Sequence, residues 1–172
     1  MGSDQDMTAP QGSAPQGASP ERTIMHRKVQ AGRAEHQSRA MSLAKALRLT
    51  LAKVADEMFD MSMAVIGVRS ETCPGEGLVE HLADPGLLML LDGPSRARAA
   101  AFIDPSLVGA LIQQQTMGKV LSLSDGPERP MTPTDAAISA PFLDTLLSRT
   151  TPVPDDPQEQ HLIAGYTFGA WV

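Results

Sequence analysis

The sequence lacks asparagine entirely and has little cysteine or aromatic side chain. With no asparagine among 172 residues, any chemistry that needs its side chain is excluded. The single cysteine, Cys73, cannot form an internal disulfide or a thiolate zinc cluster, and this usage is typical of a reducing compartment. Aromatic residues make up only 3%, so the core must be built from Leu, Val, Ile, Met and Ala.

Three further absences narrow the class of protein. The formal net charge is −6, and an acidic chain is a poor candidate for binding nucleic acid, which requires a basic surface. No apolar run approaches the roughly 20 residues that a membrane span needs. The first residues also lack the basic, apolar and small-residue pattern of a signal peptide. These features predict a cytoplasmic protein without membrane insertion and without a nucleic-acid partner.

The motifs of catalysis and cofactor binding are missing too. His26, His36, His81 and His161 do not fall at metal-ligand spacing within one element. The glycines occur singly in turns, so there is no phosphate-binding glycine loop, and no serine stands in a Gly-x-Ser-x-Gly elbow. We therefore expect no catalytic residue, no cofactor and no metal site, and we expect that the chain is not an enzyme.

The first 41 residues differ in composition from the rest. Residues 1–22 are rich in Gly, Ser, Pro, Gln and Ala, which predicts a disordered tail because little apolar surface can be buried. Residues 23–41 form a basic lead-in segment that we expect to be partly helical. The basic stretch continues to Lys53 with Glu35 as its only acidic residue. It is either a docking face for an acidic partner or the solvated side of a helix.

The strongest helix signal covers residues 42–59, with Ser42 as the N-cap. Apolar side chains recur there at steps of three and four and predict a buried stripe. The stripe consists of Leu43, Leu47, Leu51, Val54 and Met58. Alternation predicts a strand over residues 61–68, and residues 72–85 are mostly loop. The apolar residues 87–91 predict a central strand, with residues 96–103 as its antiparallel partner.

Capping signals place two more helices. Asp104 and Pro105 predict an N-cap and a first helical residue, and Gly118 is placed to end that helix. Thr132 and Asp135 predict the start of the next helix. Ile138, Phe142, Leu143 and Leu146 are expected to face the core from it, while Pro141 should kink or break it. Residues 161–170 are predicted to form one more strand.

Four stretches, in this order, resemble the middle domain of the flagellar motor switch protein family FliM. They are RAMSLAKALRLTLAKVADEMF (39–59), DPGLLMLLDG (84–93), AAFIDPSLVGALIQQQTMG (100–118) and MTPTDAAISAPFLDTLL (131–147). The resemblance implies an α/β fold, namely a CheC-like α/β/α layered domain with a mostly antiparallel or mixed sheet over residues 42–172. Its second half is expected to be incomplete.

The resemblance also implies a function. Such a domain works in the cytoplasmic switch ring (C-ring) at the flagellar basal body, where it contacts FliG through a Gly-Gly-x-Gly loop. It also contacts neighbouring FliM and FliN subunits, and the ring responds to phosphorylated CheY. At the place of the loop this chain has Thr116, Met117, Gly118 and Lys119, so one glycine is retained. These four residues are the expected partner-binding site for a FliG-like protein.

Two alternatives share the same module. One is a ring component of a related type III secretion apparatus. The other is a CheC-type phosphatase of phosphorylated CheY, which places a Glu and an Asn three residues apart on a helix. Because the chain has no asparagine, that catalytic pair cannot be assembled in its known form.

Overall fold

The computed structural model describes residues 39–74, 86–121 and 129–172. From Ala40 onward they belong to one compact unit of helices and a small sheet, so the predicted mixed α/β class is confirmed. Predictions for residues 1–38, 75–85 and 122–128 lie outside the described residues. No helix in the described ranges is both long enough and apolar enough to cross a bilayer.

The first helix, α1, spans Leu43–Phe59 and begins at the predicted N-cap, where the Ser42 side chain accepts from the Lys45 amide. It ends at Asp60, which adopts the left-handed conformation with φ 50°. The predicted apolar stripe is confirmed in part, because Val54 is fully buried and Leu51 and Met58 pack half-buried against the same apolar cluster. The buried side is the set Ala46, Thr50, Val54, Ala55 and Phe59. Small side chains such as Ala46 on this side of α1 allow a neighbouring helix to approach closely.

The start of α1 is tied to a segment more than a hundred residues away. The Met41 amide donates to Asp155 Oδ2 at 2.7 Å, and the Leu43 amide donates to Glu159 Oε2 at 2.6 Å. The Asp155 amide in turn donates to the Met41 carbonyl at 2.9 Å. Carboxylates at a helix N-terminus satisfy free amides and complement the helix dipole. We call these three bonds the α1 latch.

The sheet has three antiparallel strands in the order β2-β1-β3. Strand β1 (Leu87–Asp92) pairs with β2 (Arg98–Ile103) in the register Leu87↔Ile103 to Asp92↔Arg98, which confirms the predicted central strand and its hairpin partner. Strand β3 (Thr167–Trp171) pairs with the other edge of β1, with an irregularity between Leu90 and Leu91.

Two predicted strands need correction. Residues 61–68 have no strand assignment, because no other described strand pairs with them. The predicted strand over residues 161–170 is restricted to β3, which begins at Thr167. The residues before it include a short helix, α4 (Pro157–His161). That helix forms because Asp156 caps the Gln158 amide and Pro157 occupies the first helical position.

The two remaining helices begin at the predicted caps. Helix α2 spans Pro105–Met117, with the Asp104 carboxylate accepting from the Ser106 amide at 2.7 Å. Helix α3 spans Pro133–Thr150 and starts with a capping box formed by Thr132 and Asp135. It continues through Pro141, so the predicted break is absent.

The side chains of α3 confirm the predicted core positions with one exception. Phe142, Leu143 and Leu146 are buried as expected. Ile138 is only half-buried and belongs to neither core cluster, so its predicted core position is wrong. Pro141 and Ala137 are both on the exposed side of α3, where water can reach the carbonyl that the proline leaves unbonded.

Buried side chains form two cores on opposite sides of α2 and α3. The sheet core comprises Leu87, Met89, Leu91, Ile103, Val108, Ala136, Ala140, Leu143 and Leu147. The helix core comprises Val54, Ala55, Phe59, Met61, Ala110, Leu111 and Phe142, with the Phe59 and Phe142 ring centroids 5.6 Å apart. The sheet, the α2–α3 pair and α1 are therefore three successive layers.

Ser139 is the one buried side chain of the described residues whose polar atom lacks a hydrogen-bond partner. Leaving a hydroxyl buried and unbonded costs free energy, and alanine also has the higher helix propensity. We expect Ser139→Ala to raise the free energy of unfolding by about 1 kcal/mol. Urea denaturation measures this, with Ser148→Ala, an exposed serine on the same helix, as the control that should change little. A destabilised Ser139→Ala protein would contradict the prediction.

Candidate functional site

The predicted partner-binding residues lie where α2 ends. Thr116 and Met117 are its last residues, and Gly118 follows in the left-handed conformation with φ 67°. The Gly118 amide donates to the Gln114 carbonyl at 2.9 Å and closes the helix. A Cβ at Gly118 would meet nothing within 4 Å, so glycine is favoured here by its backbone conformation alone. We call residues 116–121 the α2 turn.

Two glutamine side chains fix the α2 turn in place. Gln114 Nε2 lies 3.3 Å from the Asp60 carbonyl oxygen and 3.4 Å from that of Gly118, so it joins the turn to the end of α1. Gln113 Oε1 accepts from the Leu121 amide at 2.8 Å. Sequence analysis did not identify these glutamines, because a glutamine near a helix end carries no signal for the distant carbonyl it will reach.

The surface of the α2 turn is apolar with one positive charge. Met117 is 48% exposed and Leu121 is 62% exposed, while Lys119 is exposed between them. Val120 faces the other way and packs on the helix core. A turn that is held by hydrogen bonds and still exposes apolar side chains is suited to binding a protein partner, because little ordering entropy remains to be lost.

Within the described ranges, no three His, Cys, Asp or Glu side chains are close enough together to hold a metal ion. His161 is exposed at the end of α4, and Cys73 is a free, exposed thiol. The remaining histidines, His26, His36 and His81, lie outside the described residues.

Among the described residues, the carboxylate with the most strongly shifted pKa lies at the start of α3. Arg129 donates from both terminal nitrogens to Asp135, at 2.7 and 2.6 Å, and the Thr132 amide and hydroxyl both donate to Asp135 Oδ2 at 2.8 Å. The Arg129 bonds, reinforced by Thr132, lower the pKa of Asp135 to about 2 although burial opposes the shift. A carboxylate so fully bonded and only 2% exposed holds a structural position and has no free oxygen for acid or base catalysis.

No family model matches this chain, and no curated protein or solved structure is significantly similar to it. The resemblance to the FliM middle domain therefore depends on the four ordered sequence stretches alone.

Proposed function

We propose that the chain is a structural protein-interaction module of the flagellar motor switch with no catalytic role, and that its fold is a variant of the CheC-like α/β/α domain in which both described helix layers lie on one side of the sheet. It contributes to rotor assembly and direction switching through contacts with a FliG-like protein and with neighbouring FliM- or FliN-like subunits, at the cytoplasmic side of the basal body. CheY acts on it indirectly. The observation that carries the proposal is the α2 turn, whose apolar side chains are exposed on a backbone fixed by hydrogen bonds.

The altered loop changes the kind of contact that is expected. A Gly-Gly-x-Gly loop offers bare backbone for close approach, whereas this chain offers the side chain of Met117 next to Gly118. Methionine is flexible and polarizable and adapts well to an apolar pocket. The FliG-like partner of this chain is therefore expected to carry an apolar depression for Met117, with an acidic group within reach of Lys119.

The proposal predicts a binding defect confined to the α2 turn. We expect Met117→Ser to weaken binding of the full chain to the FliG-like protein of the same genome by at least tenfold, about 1.4 kcal/mol, because an exposed apolar anchor is lost. Isothermal titration calorimetry measures the dissociation constant. Leu49→Ser is the matched control. Leu49 is also a helical residue and is 59% exposed, but it lies on α1, so this variant should bind as the wild type does.

Other outcomes separate the alternatives. Absence of binding by the wild-type chain to FliG-like, FliM-like and FliN-like proteins would reject the proposal. Binding to the corresponding ring proteins of a type III secretion apparatus would assign the chain to that apparatus, with the α2 turn still as its binding site. Faster loss of phosphate from phosphorylated CheY in the presence of the chain would contradict the non-catalytic assignment.

A further inference from the structure

Residues 61–68 form an unpaired segment that follows α1 and has no described strand beside it. Burial alternates along their first half, with Met61 buried, Met63 and Val65 half-buried, and the residues between them exposed. Met61 and Met63 pack on the helix core, which holds one face of the segment. Ile66, a residue with high strand propensity, is 95% exposed. The sequence pattern of a strand is thus present, and only the pairing is missing.

The main chain of this segment is open to a partner. The Met61 amide donates to the Ala55 carbonyl at 3.2 Å, but from Ser62 to Val68 no main-chain group bonds to any other described residue. The segment carries no charged residue and no proline between Met61 and Val68. Charges and prolines are the features that normally keep an exposed strand from pairing with another chain.

The same molecule has an open strand edge on β3, which is one of the two outer strands of the sheet, with β2 as the other, as far as the described residues extend. The Val172 amide donates to the Leu88 carbonyl at 3.0 Å, so its neighbour Trp171 directs its main-chain groups away from β1. At the other end of β3, the Phe168 amide is occupied by Asp144 Oδ1 at 2.7 Å. The available edge of β3 therefore lies toward Trp171, and β3 is also free of charge and proline.

We propose that residues 61–68 pair as a β-strand with the open edge of β3 in a second copy of the chain. Each copy carries both halves of the contact, so two copies can exchange them reciprocally and close a dimer. Main-chain hydrogen bonds supply the attraction, and the exposed Ile66 and the partly exposed Trp171 gain burial. This contact uses none of the residues of the α2 turn and needs no FliG-like protein.

The test uses the full chain and Trp171, its single tryptophan. We expect light scattering to show a shift from monomer to dimer between about 1 and 200 µM, a range typical of contacts of modest area. Trp171 emission should shift to shorter wavelength over the same range. Amide exchange at residues 62–68 and at Trp171 should slow at least tenfold at the higher concentration.

Ile66→Pro removes one amide donor from the segment while keeping an extended backbone, and it alters no buried side chain. It should raise the dimer dissociation constant at least tenfold, whereas Ile66→Thr, which keeps the amide and high strand propensity, should dimerise within about threefold of wild type. Unchanged exchange in α1 verifies that both variants are folded. Each of three results would overturn the proposal. They are a wild-type chain that is still monomeric at 200 µM, amide exchange that does not depend on protein concentration, and a dimer dissociation constant that Ile66→Pro leaves unchanged.

Discussion

Leu111→Ala is expected to lower the free energy of unfolding by about 3 kcal/mol, the largest effect of the changes considered. Leu111 is fully buried on α2 within the helix core, the apolar cluster that joins α1, α2 and α3. Removing three carbon atoms there loses transfer free energy and leaves a cavity that three helices in contact cannot easily close. The neighbouring Leu107 contacts both cores, so loosening α2 also weakens its support of the sheet.

Urea denaturation followed by far-UV circular dichroism measures this loss as a lower midpoint with an unchanged slope. Leu49→Ala is the matched control, because Leu49 is exposed on α1 and its truncation should cost no more than about 0.5 kcal/mol. A loss of less than about 1 kcal/mol for Leu111→Ala would contradict the assignment of this side chain to a tightly packed core.

Asp135→Asn is expected to cost about 2 kcal/mol at pH 7, because a carboxylate whose pKa is lowered by bound partners stabilises the folded state when ionised. The size follows from the fall in pKa from 3.8 to about 2, with allowance for Arg129 being half exposed. Asparagine keeps some capping ability at Thr132 but loses the paired bonds from Arg129.

The difference in free energy of unfolding between wild type and Asp135→Asn depends on pH with a definite sign. The folded-state pKa of Asp135 is depressed, so its stabilising contribution is complete above the unfolded-state value near 4 and is lost as the pH falls through about 2. Wild type and Asp135→Asn should therefore differ fully at pH 7 and converge between about pH 4 and pH 2. Asp104→Asn, at the exposed N-cap of α2, is the control and should change the free energy of unfolding little at pH 7 because asparagine caps equally well. A wild-type advantage that persists unchanged at pH 2 would contradict the assigned pKa.

The features that could be predicted from the sequence were those encoded by neighbouring residues. Ser42, Asp104 and Thr132 cap their helices through bonds to residues two or three positions away, so a local pattern is sufficient. The β1–β2 hairpin follows for the same reason, because a short turn brings consecutive strands together.

The remaining features depend on contacts between distant residues. The alternating sequence pattern predicted a strand at residues 61–68, but a pattern within one segment does not show whether another strand lies beside it. The predicted apolar stripe of α1 followed helical spacing, whereas the buried side of α1 also includes Ala46 and Thr50, which are buried through contacts with distant parts of the chain. At the α2 turn, the sequence identified residues 116–119, while the bond from Gln114 to Asp60 spans 54 positions and has no local signal.

The α1 latch has a consequence for the order in which the chain folds. It closes a loop of 114 residues between Met41 and Asp155, and the entropic cost of joining such distant ends is about 4 kcal/mol. Three hydrogen bonds, two of them to carboxylates at exposed or partly buried positions, do little more than balance that cost, so we expect helix packing to bring the ends together first. We therefore expect the latch to form after the folding transition state and to open early in unfolding. The rate of folding is then set by the two cores, whereas the latch slows unfolding and so lengthens the lifetime of the folded protein.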